Sequence, residues 1–139
     1  MNLTRSRHTR RCLCLLLFAA ASASMALGQT AVTNDDARKL VHEAIKKDAA
    51  SAYIEQMADD GPNFLAFAAE SPEGSGGSAI VGYFDVNKIT GDVWEIAGVV
   101  CTRYYGADLH RAQLASRRQR NIVQQTYLKL HAARPEICN

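Results

Sequence analysis

The stretch Tyr83-Phe84-Asp85-Val86-Asn87-Lys88-Ile89-Thr90-Gly91-Asp92-Val93-Trp94-Glu95 decides how this chain folds. Two runs rich in β-branched and aromatic residues flank a polar Asn-Lys-Ile-Thr-Gly segment, the pattern of a hairpin whose glycine supplies a positive backbone angle. Strands are therefore expected over residues 79–86 and 92–100, joined by Asn87 to Gly91. Thr90 and Asp92 have the short polar side chains that hydrogen-bond such a turn, and Trp94 carries a large apolar surface expected to pack against the first helix.

Working outward, Asn63 to Ala69 is a short apolar and aromatic run that fits another strand, separated from the hairpin by a Gly/Ser-rich loop at Ser71 to Ser78. Upstream, Thr33-Asn34-Asp35-Asp36 offers a cap and favourable first-turn acids. Ala37, Leu40, Val41, Ala44 and Ile45 then recur at helical spacing. This first helix is expected to reach about Ala50, with Ala52 to Met57 continuing it or adding a turn before Asp59-Asp60-Gly61-Pro62 stops it. Downstream, Ala107 to His131 holds no Gly or Pro and is rich in Arg, Gln, Leu and Ala. It reads as one long helix with Leu109, Ala112, Ala115, Gln119, Ile122, Val123, Thr126 and Leu130 toward the sheet. The expected class is α+β: an antiparallel sheet of three to four strands packed by an N-terminal helix and a long C-terminal helix.

The first residues read differently. Arg5, Arg7, Arg10 and Arg11 precede the apolar run Cys12 to Ala21, which is shorter than the roughly 20 residues a membrane-spanning helix needs. This is the pattern of a secretory signal peptide over residues 1–28, with cleavage expected after Gly28 or near Ala21-Ser22-Ala23. The Arg10-Arg11 pair also fits a twin-arginine export signal. Cys12 and Cys14 are not placed as the acylated first residue of a lipoprotein. The expectation is a periplasmic or secreted domain of residues 29–139, without stable membrane insertion once the signal is removed.

Export changes the reading of charge and cysteines. The whole chain is +2, but residues 29–139 hold 12 Lys and Arg against 14 Asp and Glu. That balance argues against a nucleic-acid partner. The charges are segregated: residues 29–96 sum to −7 and residues 97–139 to +5. In an oxidising compartment the two remaining cysteines, Cys101 and Cys138, are expected to form one disulfide that ties the C-terminus to the middle of the fold.

Catalytic and metal motifs are sparse. His42-Glu43 lacks a second histidine four residues after the first, and His110 and His131 read as solvated helix residues. No nucleophile elbow or phosphate loop occurs. Asp85, Asn87 and Asp92 gather oxygen donors around a glycine turn but miss the calcium-loop spacing, so no metal and no cofactor are expected. Glu43, Glu55 and Glu70 could pair in space as acid and base, yet no spacing argues for it, and a non-enzymatic protein is the expectation.

The helix, strand and hairpin of residues 35–96 resemble the PepSY-type domain of secreted peptidase propeptides and envelope proteins. They are also similar to small periplasmic immunity proteins carrying a Y-x-V-N-x-x-T-G-[DE]-V-W hairpin and a C-terminal helix. The matching positions are Val86, Asn87, Thr90, Gly91, Asp92, Val93 and Trp94. This resemblance implies an inhibitor or immunity-like partner of an envelope hydrolase or toxin, acting by occlusion of a cleft. The expected partner-binding residues are Tyr83 and Trp94, as aromatic anchors, and Arg117, Arg118 and Arg120, as the densest basic cluster. The rival readings are a small cell-wall-acting enzyme using paired carboxylates, and a structural or sensing envelope module.

Overall fold

The structure, a computed structural model, describes residues 30–72 and 80–138. The expected signal peptide and most of the Gly/Ser-rich loop lie outside the described residues. Helix α1 spans Asn34–Ile45; strands follow at Tyr53–Gln56 (β1), Phe64–Glu70 (β2), Ile80–Asn87 (β3), Val93–Ala97 (β4) and Val100–Arg103 (β5). Helices α2 (Ala107–Gln119) and α3 (Gln124–Leu130) and a 3-10 turn at Glu136–Cys138 complete the chain. The five strands form one antiparallel sheet in sequence order, β1-β2-β3-β4-β5.

The α+β class is thus as expected, with five strands where three to four were anticipated. The additional strands have local causes. Tyr53 to Gln56 alternates outward and half-buried residues and pairs along β2, Tyr53 against Glu70 and Gln56 against Phe67, where the sequence also fitted a helical extension. The run 92–100, expected as one strand, folds back on itself: Ala97 pairs with Val100, and Gly98 adopts φ +64° at the first position of the two-residue turn between them.

Helix α1 begins where Thr33 Oγ1 accepts from the Asp36 N–H at 3.2 Å. Its Ala37, Leu40, Val41 and Ile45 bury against Leu65, Phe67, Ala69, Phe84, Val86 and Val93, the inward positions of β2, β3 and β4. Leu109 of α2 joins the same core. Side chains alternate along a strand, so Ala66, Tyr83, Asp85, Trp94, Ile96 and Arg103 occupy the opposite face of the sheet. The registers Asp85 to Trp94 and Trp94 to Arg103 set those three in one row across β3, β4 and β5. Trp94 therefore turns away from α1, and Val93 takes the core position that the sequence reading gave to the tryptophan.

The long C-terminal helix is broken. Asn121 sits at φ 57°, and the Ile122 N–H donates to the Arg117 carbonyl at 2.9 Å. This closure is typical of helix ends, and asparagine adopts the left-handed conformation at little cost. The interruption lets the chain round the end of the hairpin. Helix α2 packs beside α1, and α3 then contacts the sheet's other face, where Arg103 donates to the Tyr127 hydroxyl at 2.9 Å and to the His131 carbonyl at 3.0 Å. Cys101 of β5 and Cys138 are disulfide-bonded, with Cα atoms 5.8 Å apart, which seals the tail onto that face.

Candidate binding surface

The hairpin turn between β3 and β4 is built as its sequence indicates. The Asn87 Oδ1 accepts from the Ile89 and Thr90 N–H groups, both at 2.9 Å, and Gly91 takes φ +71°. Asp92 accepts through its backbone carbonyl from Asn87 N, and its own N–H donates to Thr90 Oγ1. Asn87 and Asp92 are thereby committed within the turn, not gathered with Asp85 into one ligand cluster. No group of three or more His, Cys, Asp or Glu side chains among the described residues is arranged to hold a metal ion.

A turn buried at the end of a sheet leaves carbonyls that need donors. Helix α2 supplies them from one stripe, Leu109, Gln113 and Arg117, spaced four apart. Gln113 donates to the Gly91 carbonyl at 3.0 Å and Arg117 to the Thr90 carbonyl at 3.1 Å. Just beyond the helix, Arg120 donates to the Ile89 carbonyl at 2.7 Å. Asp92, almost fully buried, lies 2.7 Å from Arg103 and 3.6 Å from Arg117. Burial pulls the Arg120 guanidinium below its usual range, with Arg117 beside it adding repulsion.

These contacts revise the expected basic docking cluster. Arg117 is 5% exposed and Arg120 6% exposed, so both are structural donors, whereas Arg118 is exposed. The apolar stripe expected on this helix was misplaced for the same reason: Gln113 and Arg117 are buried through hydrogen bonds that apolar side chains could not make. The spacing Leu109-Gln113-Arg117 was available in the sequence as a helical face. What was missing was the knowledge that a turn lay opposite it.

The aromatic pair also separates. Trp94 is 7% exposed, with the Arg103 guanidinium 6.0 Å from its ring centroid and its Nε1 lacking a hydrogen-bond partner. Tyr83 is 40% exposed. Of the five expected partner-binding residues, Tyr83 and Arg118 are thus presented to solvent, on different parts of the molecule.

Tyr83 opens onto a feature that the sequence reading missed. A cavity of about 400 Å³ lies on the face opposite α1, lined among others by Met57, Asp60, Tyr83, Asp85, Ile96 and Ile137. Asp85 is 3% exposed, and one of its carboxylate oxygens has no hydrogen-bond partner. Burial, reinforced by the neighbouring Asp60 carboxylate and then by Asp59, pushes Asp85 up to about 7. Asp85 in its protonated form hydrogen-bonds Asp60, which also accepts from the Ile137 N–H at 3.2 Å. The available signal was the alternation itself: Asp85 stands at a strand centre between Phe84 and Val86, where an aspartate faces either solvent or a purpose. A second, shallower depression beside α1 is lined by Arg38, Lys39, His42, Tyr53, Glu55 and Glu70, among others. It brings together Glu55 and Glu70, two of the three carboxylates considered for acid-base pairing, while Glu43 pairs with Lys46 at 2.6 Å.

No family model matches this chain. No curated protein matches it either. Among solved structures it is similar to a chain in the structure of a type VI secretion system effector-immunity complex from Pseudomonas protegens. The identity is 21% and the TM-score 0.53, over 71% of this chain and 85% of that one. The likeness is one of fold.

Proposed function

We propose that this protein is an exported, non-enzymatic binding domain that acts as an immunity-like partner of a toxin or envelope hydrolase. The observation that carries the reading is the fold shared with a chain of an effector-immunity complex, extending over most of that chain. It is supported by the hairpin residues Val86, Asn87, Thr90, Gly91, Asp92, Val93 and Trp94, which resemble those of small periplasmic immunity proteins. Export, by way of the N-terminal signal pattern, gives the disulfide its oxidising compartment. No helix among the described residues is long and apolar enough to cross a membrane.

The contact surface would be the sheet face around Tyr83, with Arg118 as a separate charged contact. Trp94 is buried on the same sheet face, and Arg117 and Arg120 hold the hairpin turn through the Thr90 and Ile89 carbonyls. The test is crosslinked co-purification from envelope extracts, followed by assay of the partner's own activity as the purified protein is added. Stoichiometric inhibition, weakened by Tyr83→Ala, is the expected result. A partner whose activity is unchanged at saturating protein refutes the immunity reading.

A second reading is favoured by one observation. A carboxyl pair in a cavity, one member titrating near neutrality, is an arrangement that general acid-base catalysis uses. Hydrolysis of cell-wall fragments by the purified protein, abolished in Asp85→Asn, would establish it.

A further inference from the structure

The cavity opposite α1 combines three properties. Its floor holds Asp85, a nearly fully buried carboxyl with one oxygen lacking a hydrogen-bond partner. Its rim is apolar and exposed at Met57, Tyr83 and Ile137, with 44%, 40% and 53% of their surfaces open. Its remaining charge is of one sign at the lining, from Asp59 and Asp60.

A buried acceptor without a donor is costly, because that oxygen has lost water and gained no hydrogen bond in exchange. A ligand that removes this cost must bring a donor, preferably charged, since two carboxyls already share the space. A bare metal ion fits poorly, as Met57, Ala66, Ile96 and Ile137 line the same cavity and offer no oxygen ligands. A long side chain with an apolar stem and a cationic head fits both halves of the site. The molecule already shows the chemistry at the edge: Lys88 extends from the end of β3 to place its ammonium 2.8 Å from Asp59.

We propose that the cavity floored by Asp85 receives a lysine or arginine side chain of the protein partner, its stem against Met57, Ile96 and Ile137 and its cationic head on Asp85 and Asp60. The occupant is identified by charge complementarity with the acidic floor. The identification rests on the protein-partner reading above. The cationic head takes the place of the proton that Asp85 shares with Asp60, and that proton leaves to solvent. Titration in the cavity is governed by Asp85 on β3 with Asp59 and Asp60 from the β1–β2 connection. Lys88 is held on Asp59, Trp94 is the cross-strand neighbour on β4, and Ile137 is the contact from the C-terminal tail. Entry of the head should therefore be accompanied by proton release to the buffer near neutral pH.

The probe is N-acetyl-arginine methylamide, with N-acetyl-citrulline methylamide as its uncharged isostere, added to the purified protein and followed by amide NMR shifts and by the Asp85 carboxyl-carbon titration. The arginine probe should bind in the millimolar range, perturb Tyr83, Asp85 and Ile96, and lower the Asp85 midpoint. Citrulline should bind at least about tenfold more weakly, and Asp85→Asn should weaken the arginine probe by a similar factor. Asp60→Asn, which keeps the acceptor for Ile137, provides the same comparison should Asp85→Asn fail to fold. Equal binding of the two probes, undiminished binding in the variants, or no perturbation up to the solubility limit would each overturn the assignment. The probes report on the cavity with no partner present. A negative result therefore removes the cavity's role and leaves the immunity reading standing, because that reading is tested separately by inhibition.

Discussion

Asp92 and Asp85 stand on the same hairpin, seven residues apart, and both are all but removed from solvent. At the turn, Asp92 is met by the guanidinium of Arg103 at 2.7 Å and that of Arg117 at 3.6 Å. At the strand centre, Asp85 faces two further carboxylates, and burial keeps its proton on up to about pH 7. One end of the hairpin neutralises a buried charge with the protein's own cations, and the other with a proton. The first arrangement joins the hairpin to α2 and, through Arg103, to α3. The second leaves an acceptor open on a concave surface. The difference separates a site that holds the fold together from one that is available to a ligand.

The comparison breaks most directly at Asp92. Asp92→Ala strands Arg103 and Arg117 in low-dielectric surroundings, and loss of one partner from a buried pair costs about 3–5 kcal/mol. Urea unfolding should show that loss; a change below about 1 kcal/mol would mean that the turn is solvated and the contrast with Asp85 is lost. The disulfide comes next. Cys101 and Cys138 are separated by 37 positions, and closing a loop of that length stabilises by about 4 kcal/mol in the chain-entropy account. Replacing both cysteines with alanine should lower the unfolding midpoint and expose the 3-10 turn to proteolysis before the sheet, a sequence of cleavage readable by mass spectrometry.

Most of the architecture was legible because it is local. The capping Thr33, the apolar spacing of α1, and the Asn87 to Gly91 turn each carry their own cause within a few residues. What the sequence concealed was decided by partners distant along the chain. Arg117 and Arg120 looked like a solvent-facing or docking cluster, since nothing nearby showed that the Thr90 and Ile89 carbonyls would need donors. Trp94 was assigned to the wrong face because the hairpin's two strands alternate equally well in either orientation, and only the packing of Val93 against α1 decides between them. The cavity was invisible for the same reason: Met57, Asp85 and Ile137 meet only after β1, β3 and the disulfide-bonded tail are in place.

Asp85 sharpens the comparison through pH. Its folded-state pKa is raised above the unfolded value, so between about pH 4 and 7 the native state binds more protons than the unfolded one. Stability contributed by this group is therefore fully present below about pH 4, is lost as pH rises toward 7, and stays low above it. At about 1.4 kcal/mol per unit, the roughly three units between the ordinary carboxylate value and about 7 bring the loss to about 4 kcal/mol. Asp85→Asn should flatten that slope and be the more stable protein at pH 8, as measured by urea midpoints across the range. A wild-type profile that rises from pH 4 to 7 would place the buried proton elsewhere.

The smallest expected effect falls on the arginine that the turn does not use. Arg118 is exposed, beside two buried neighbours of the same type, and exposed substitutions away from caps and networks usually change stability by less than about 0.5 kcal/mol. Arg118→Ala should therefore unfold like the wild type, while Arg117→Ala, one residue earlier, leaves Asp92 and the Thr90 carbonyl short of a partner. Because Arg118→Ala preserves the fold, any loss of partner affinity it causes can be attributed to the surface, and its salt dependence would show whether the contact is charge-steered. If Arg118→Ala destabilises as much as Arg117→Ala, the two arginines share one network and the division between structural and presented charge on α2 fails.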